Sequence, residues 1–317
     1  MAESTMIKIQ RPGWLAAALC LLTLPLLSIS GARPASARTQ RIAMSLSCET
    51  LSERSGDTDC HTFMIFGKKS FFDSPLPYRL RSHAPGVTTW PVLSVTILSY
   101  REASPAPDQG EDRYRWDYRA LAFWSLTDAG QTRPYIGDWF DVSSGREYVG
   151  GSAGAQDTAM LRNPLFQGVA AELPAELHSA YRRVHAGEGK APEPAPTVKF
   201  QRKGAYQGVC AEHFGEPAAQ AVLEGALSRL AQILLFSPNL EGAPGPWEAL
   251  LLPCAGGSSD LVLRMRGKGV RAEAACTLAE PLIFSDTEGK VAQCVRTLGK
   301  DLRKELVTSY SAIKSQQ

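Results

Sequence analysis

The sequence lacks most of the patterns that mark a metal-binding or nucleic-acid-binding protein. No Cys-x-x-Cys pair and no Cys/His pair has the spacing of zinc ligands, so we expect neither a metal site nor a cofactor. The chain contains no basic block of about five to eight residues, and its formal net charge is only +2 at pH 7. Proteins that bind nucleic acid need a local excess of Lys and Arg to neutralise phosphates, so we do not expect a nucleic acid partner.

Residues 1–37 have the features of a secretory signal peptide. Lys8 and Arg11 precede a Leu/Ala-rich block, and Ala35-Ser-Ala37 provides a small-residue cleavage site. Pro25 interrupts the block, whereas a transmembrane helix needs roughly 20 continuous apolar residues. We therefore predict cleavage after Ala37 and no transmembrane segment in the mature chain. The composition, rich in Ala, Arg, Gly and Pro and without an Asn-x-Ser/Thr sequon, favours a bacterial protein exported to the periplasm or the extracellular space.

The cysteines of the mature chain indicate disulfide bonds, because an even number in an oxidising compartment usually pairs. Cys48 and Cys60 close a short polar loop, and we predict a bond between them that spans an exposed excursion between two strands. The remaining cysteines are also predicted to form disulfides, but their order along the chain leaves the pairing open. They are Cys210, Cys254, Cys276 and Cys294.

Residues 38–185 are predicted to form a β-rich domain with one helical segment. Short runs of β-branched and aromatic residues, separated by Gly, Pro, Ser and Asp, are typical of strands. Such runs occur at 41–48, 61–66, 78–81, 90–100 and 113–126, and Trp139 and Phe140 indicate a further strand or a turn. From 155 to 186 the apolar residues take helical spacing.

The run 113–126 gives the clearest strand signal. Tyr114, Trp116 and Tyr118 alternate with charged residues, as the period of two in a strand requires. We expect the aromatic side chains in the core. The arginines of the opposite face, including Arg115 and Arg119, are expected to be solvated.

A Pro/Gly-rich linker at 186–197 is predicted to separate this domain from a second domain at 198–317. Apolar periodicity predicts a helix that begins at Pro217, three strands, and a long helix at 287–314 with basic residues along its exposed side. A cap at Ser285 or Asp286 fits the start of the last helix. The fold class is therefore α+β, with a two-layer helix–three-strand–helix unit at the C-terminus.

One stretch suggests catalysis. Gly150-Gly-Ser152-Ala-Gly matches Gly-x-Ser-x-Gly, the turn that exposes the nucleophile of α/β-hydrolases. A base for Ser152 would have to come from His178, His185 or His213, but no acid-then-histidine order supports a triad. A plain glycine-rich loop is therefore the preferred interpretation of this stretch.

These patterns favour an exported, disulfide-stabilised binding protein without catalytic activity, such as a periplasmic interaction, inhibitor or immunity-type protein. Its expected partner is a protein or another envelope component. The alternative is a secreted serine hydrolase that uses Ser152.

Overall fold

The computed structural model describes residues 41–52, 58–82, 89–105, 114–150, 159–185, 194–236, 246–267, 269–278 and 286–315. The predicted signal peptide, Ser152 and most of the predicted linker lie outside these ranges. None of the helices within them has the length and hydropathy of a membrane-spanning segment.

The first half of the described chain forms a five-stranded sheet, referred to below as the first sheet. Its strands are β1 (Ile42–Leu51), β2 (Tyr78–Ser82), β3 (Val92–Pro105), β4 (Tyr114–Thr127) and β5 (Ile136–Gly150). The spatial order is β2-β1-β3-β4-β5. The strand β1 is parallel to both β2 and β3, and the other neighbours are antiparallel.

Helix α1 (Thr58–Asp73) replaces the strand predicted for 61–66, so that prediction was wrong. A short apolar run does not distinguish a strand from a buried helix. The parallel pairing of β1 with β2 favours a helix between them, because parallel neighbouring strands need a crossover connection, which is usually a helix. Phe63 and Phe71 lie eight residues apart along α1, and both are fully buried.

Helix α2 (Ala159–His185) confirms the predicted helical segment. It packs beside α1, and together they cover one face of the first sheet. The apolar side chains on this face of β3, which are Leu93, Val95 and Ile97, share one core with both helices.

The second half of the described chain forms a four-stranded sheet, referred to below as the second sheet, and three helices. The strands are β6 (Val198–Arg202), β7 (Trp247–Pro253), β8 (Asp260–Arg266) and β9 (Arg271–Thr277). The helices are α3 (Val209–Phe214), α4 (Pro217–Leu234) and α5 (Thr287–Lys314). The predicted helix, three strands and helix are confirmed, and Asp286 caps α5 by accepting from the Gly289 amide. The sequence patterns did not predict β6 or α3.

Helices α4 and α5 form a layer between the two sheets. Leu98, Tyr100, Leu121 and Phe123 of the first sheet belong to the same core as these helices and the second sheet. The layers therefore run α1/α2, first sheet, α4/α5, second sheet. The α+β class is confirmed. The boundary at 186–197 lies between the two sheets in sequence, and the division into two domains there stays a prediction.

Candidate functional site

Three disulfides each join a helix to a strand or to the end of a strand. Cys48 of β1 is bonded to Cys60 of α1, so this bond ties a strand to a helix rather than closing a loop between two strands. The other two bonds tie the second sheet to the helices. They are Cys210–Cys254, from α3 to the end of β7, and Cys276–Cys294, from β9 to α5.

A groove of about 670 Å³ lies between Trp139 of β5 and the outer stripe of α5. Its helical wall follows from periodicity, since residues three and four apart share a stripe. The opposite stripe of α5 is apolar and buried in the core. The cationic stripe therefore faces the solvent. The residues of the groove wall on α5 are Arg296, Gly299, Lys300, Arg303, Lys304, Val307 and Thr308.

Gly299 lets the indole of Trp139 lie close to the helix backbone. A Cβ at this glycine would be 3.2 Å from Trp139 Cζ2 and 3.0 Å from Leu230 Cδ1. The indole Nε1 is buried and has no hydrogen-bond partner among the residues that the structure describes. Trp139 therefore gives the groove an apolar floor beneath cationic side chains.

Two of the four cations are held by acidic groups of the first sheet. Arg296 Nε donates to Asp141 at 3.0 Å, and Arg296 Nη1 donates to Glu102 at 3.3 Å. Arg303 Nη2 donates to Asp138 at 2.8 Å. The two arginines are thereby fixed in position at the wall of the groove.

Lys300 and Lys304 are the other two cations, and both are exposed. Neither forms a salt bridge with any residue in the described ranges. None of the groove-lining residues is acidic, although exposed Asp301 lies one turn before Lys304 at the margin of the stripe. The groove therefore presents two lysines without a salt bridge among the described residues, beside two paired arginines and above an apolar floor.

The ion pairs beneath α5 correct one prediction. Arg119 of β4 is only part-exposed and donates to Glu102 at 3.1 Å, so the arginine face of this strand is not simply solvated. Alternation in the sequence identified the two faces, but it did not show that α5 covers the charged one. Trp116 and Tyr118 on the other face are buried, as expected.

The residues named for the hydrolase alternative are not brought together where the structure describes them. His178 is on α2 and His213 is on α3, and these helices lie on opposite sides of the first sheet. Ser152 and the side chain of His185 lie outside the described residues. His213 Nδ1 lies 2.9 Å from Lys290 Nζ. Burial and the charge of Lys290 lower the pKa of His213.

Among the described residues, no group of three or more His, Cys, Asp and Glu side chains could hold a metal ion. A second cavity of about 370 Å³ lies between the first sheet and α4. Its guanidinium groups are already engaged: Arg229 Nη2 donates to Glu49 at 2.7 Å, and Arg133 Nη1 donates to the Ala195 carbonyl at 3.5 Å. The groove along α5 is therefore the stronger candidate site.

The chain matches no protein-family model and no curated protein. It is similar to several solved structures over less than half of its length. The minor lipoprotein from Acinetobacter baumannii has 11% identity over 43% of this chain and 92% of the other, with a TM-score of 0.29. Rare lipoprotein B from Shewanella oneidensis has 14% identity over 43% and 94%, with a TM-score of 0.26. The PelC dodecamer from Paraburkholderia phytofirmans has 14% identity over 44% and 88%, with a TM-score of 0.24.

Proposed function

We propose that this chain is an exported, disulfide-stabilised binding protein without catalytic activity. Its groove between Trp139 and α5 binds an acidic segment of a partner protein in the cell envelope. The observation that carries the proposal is the pair of exposed lysines, Lys300 and Lys304, that form no salt bridge with a described residue and stand beside the apolar floor of Trp139.

Export is supported by the signal sequence and by the cysteines. All the cysteines that follow residue 37 are joined in pairs, and disulfides persist in oxidising compartments such as the bacterial periplasm. The chain thus combines a secretory leader with bonds that the cytosol would keep reduced.

The dimensions of the groove favour an extended segment over a compact small molecule. From Arg296 to Thr308 the wall runs for about 18 Å, at the rise of 1.5 Å per residue of an α-helix. An extended chain of five or six residues has about this length. Trp139 supplies the kind of aromatic contact that contributes most at protein interfaces.

The charges favour an acidic segment. Lys300 and Lys304 form no salt bridge with any described residue, so a carboxylate can approach both without displacing one. Positive charge at the rim also speeds association with an acidic partner and makes it dependent on salt.

Direct binding tests the proposal. A fluorescent peptide of alternating Glu and Leu is titrated with the mature protein, and its polarisation is measured. Lys300→Glu/Lys304→Glu should weaken binding roughly tenfold or more, because reversing rim charges slows association. The matched control Lys199→Glu/Lys203→Glu makes the same charge change on exposed lysines at and just beyond β6 and should bind like the wild type.

In parallel, a photo-crosslinking amino acid at Val307 is activated in the native envelope. A partner captured from Val307, lost in the groove variant and retained in the control, is the expected result. If both double variants bind the peptide equally well and crosslink alike, the groove is not the binding site.

A further inference from the structure

Three large apolar side chains are strongly exposed among the residues that the structure describes, two on α1 and one at the start of β1. Ile65 and Phe72 of α1 are 55% and 65% exposed, and Ile42 at the start of β1 is 51% exposed. Single exposed apolar residues are ordinary, but a group of them indicates an interaction surface.

Helix α1 is apolar on two opposite sides. Its inner stripe contains Phe63 and Phe71, which are fully buried against the first sheet and α2. Ile65 and Phe72 are seven residues apart, or two turns, and so share the outer stripe. A helix that packs on a core with one side normally carries polar residues on the other.

Arg41 links the outer stripe to the start of β1. Its guanidinium lies 5.2 Å from the ring centroid of Phe72, and its Nη1 donates to the Phe71 carbonyl at 2.9 Å. Ile42 follows Arg41 and has the same strand parity as Met44, whose side chain packs in the core beneath α1. Ile42 therefore projects on the same side of the sheet as α1.

Cations surround these apolar side chains. Lys68 and Lys69 are exposed, and they lie between Ile65 and Phe72 along the helix. The exposed Arg79 and Arg81 of β2 do not belong to this surface, because they alternate with Tyr78 and Leu80, which are buried on the α1 side of the sheet. Exposed Asp73, one turn after Lys69, is an acidic residue at its border. We refer to this surface as the α1 patch; it comprises Arg41, Ile42, Ile65, Lys68, Lys69 and Phe72.

We infer that the α1 patch docks on an anionic membrane surface. Phe and Ile side chains on a basic helix face bury at the boundary between headgroups and acyl chains. Lys and Arg beside them are attracted by the negative potential of an anionic surface. A second copy of this chain fits poorly as the occupant, because docking two patches would bring their cations together.

This inference is independent of the groove. Helices α1 and α5 cover opposite faces of the first sheet, so the two surfaces face different sides of the molecule. A protein docked through the α1 patch would hold its groove away from the bilayer.

Sedimentation with lipid vesicles tests the inference. The mature protein is mixed with vesicles of phosphatidylethanolamine and phosphatidylglycerol, or of phosphatidylcholine alone, and the bound fraction is measured. We expect binding to the anionic vesicles that falls as salt is added. Ile65→Ser/Phe72→Ser and Lys68→Glu/Lys69→Glu should each lower the partition coefficient roughly tenfold or more.

Lys199→Glu/Lys203→Glu is the matched control, since it makes the same charge change on exposed lysines outside both surfaces and should sediment like the wild type. The inference is overturned if the wild type binds both vesicle types equally, or if the α1 variants sediment as the wild type does. A dimer in size-exclusion chromatography that Ile65→Ser/Phe72→Ser abolishes, without vesicle binding, would instead assign the patch to a second copy. Circular dichroism of each variant verifies folding.

Discussion

Asp141 shows how α5 changes the chemistry of the side chains beneath it. Its carboxylate accepts from Arg296 Nε at 3.0 Å and from the Tyr100 hydroxyl at 3.3 Å, and the side chain is 26% exposed. Burial raises the pKa of Asp141 to about 6, while Arg119 lowers it and Glu102 raises it. The carboxyl therefore binds its proton more tightly in the folded chain than in the unfolded one.

This difference gives Asp141→Asn a defined pH dependence. Between the unfolded pKa of about 4 and the folded pKa of about 6, the folded state binds more protons, so the contribution of Asp141 to stability falls as pH rises. The wild type should thus lose stability relative to Asp141→Asn from pH 4 to pH 7. Urea unfolding of both proteins across this range measures the difference, with Asp301→Asn as a control for removing one acidic group from the same region. A wild type that gains stability relative to Asp141→Asn as the pH rises would contradict the assignment.

Some residue-scale features follow from the sequence and others do not. The short, polar segment between Cys48 and Cys60 was enough to predict the disulfide between them. The groove was not predicted, although the basic residues on the exposed side of α5 were visible in the sequence. What was missing is the position of Trp139, because it reaches α5 only through the pairing of β5 with β4 and the packing of that sheet on the helix.

At the scale of elements, length and capping decided which predictions succeeded. Helix α5 was predicted with its observed bounds, since a long apolar repeat and a capping Asp286 are local signals. Helix α1 was assigned as a strand, because six residues of His-Thr-Phe-Met-Ile-Phe fit either period. Its helical state depends on the parallel pairing of β1 with β2, which is not local in sequence.

The two C-terminal disulfides should contribute unequally to stability. Cys210 and Cys254 are separated by 44 residues, and Cys276 and Cys294 by 18. In the chain-entropy model a longer loop loses more freedom when it is closed, which gives about 4 kcal/mol for the first bond and about 3 kcal/mol for the second. Paired Cys→Ala variants, compared by urea unfolding under oxidising conditions, should follow this order.

Paired Ala substitution at Cys48 and Cys60 is the reference for this series. These residues are 12 apart, so their bond should contribute the least of the three. Equal losses in all three variants would mean that loop length does not control the contribution of these bonds.

At the scale of the whole molecule, α4 and α5 pack against both sheets. Buried side chains of α4 occur around much of its circumference, including Val222, Leu227 and Leu230, as expected for a helix that is covered on more than one side. Periodicity predicted the helix and its sheet partner in the C-terminal half. It did not predict that the first sheet would also pack on this layer. Apolar residues in a sequence show that a face is buried, but they do not show which element buries it.

The shared layer predicts that the two sheets unfold together. Separating them would expose Leu98 and Leu121 on the first sheet, which are fully buried, together with the facing sides of α4 and α5. Exposing this apolar surface to water would cost free energy on both parts. Neither sheet should therefore persist once the other is lost. With 5-fluorotryptophan incorporated, the resonances of Trp124 in the first sheet and Trp247 in the second should disappear at the same urea concentration, coincident with the circular dichroism transition. Two separate midpoints would instead show that the chain divides at 186–197 into domains of independent stability, and that the layer between the sheets is an interface rather than a common core.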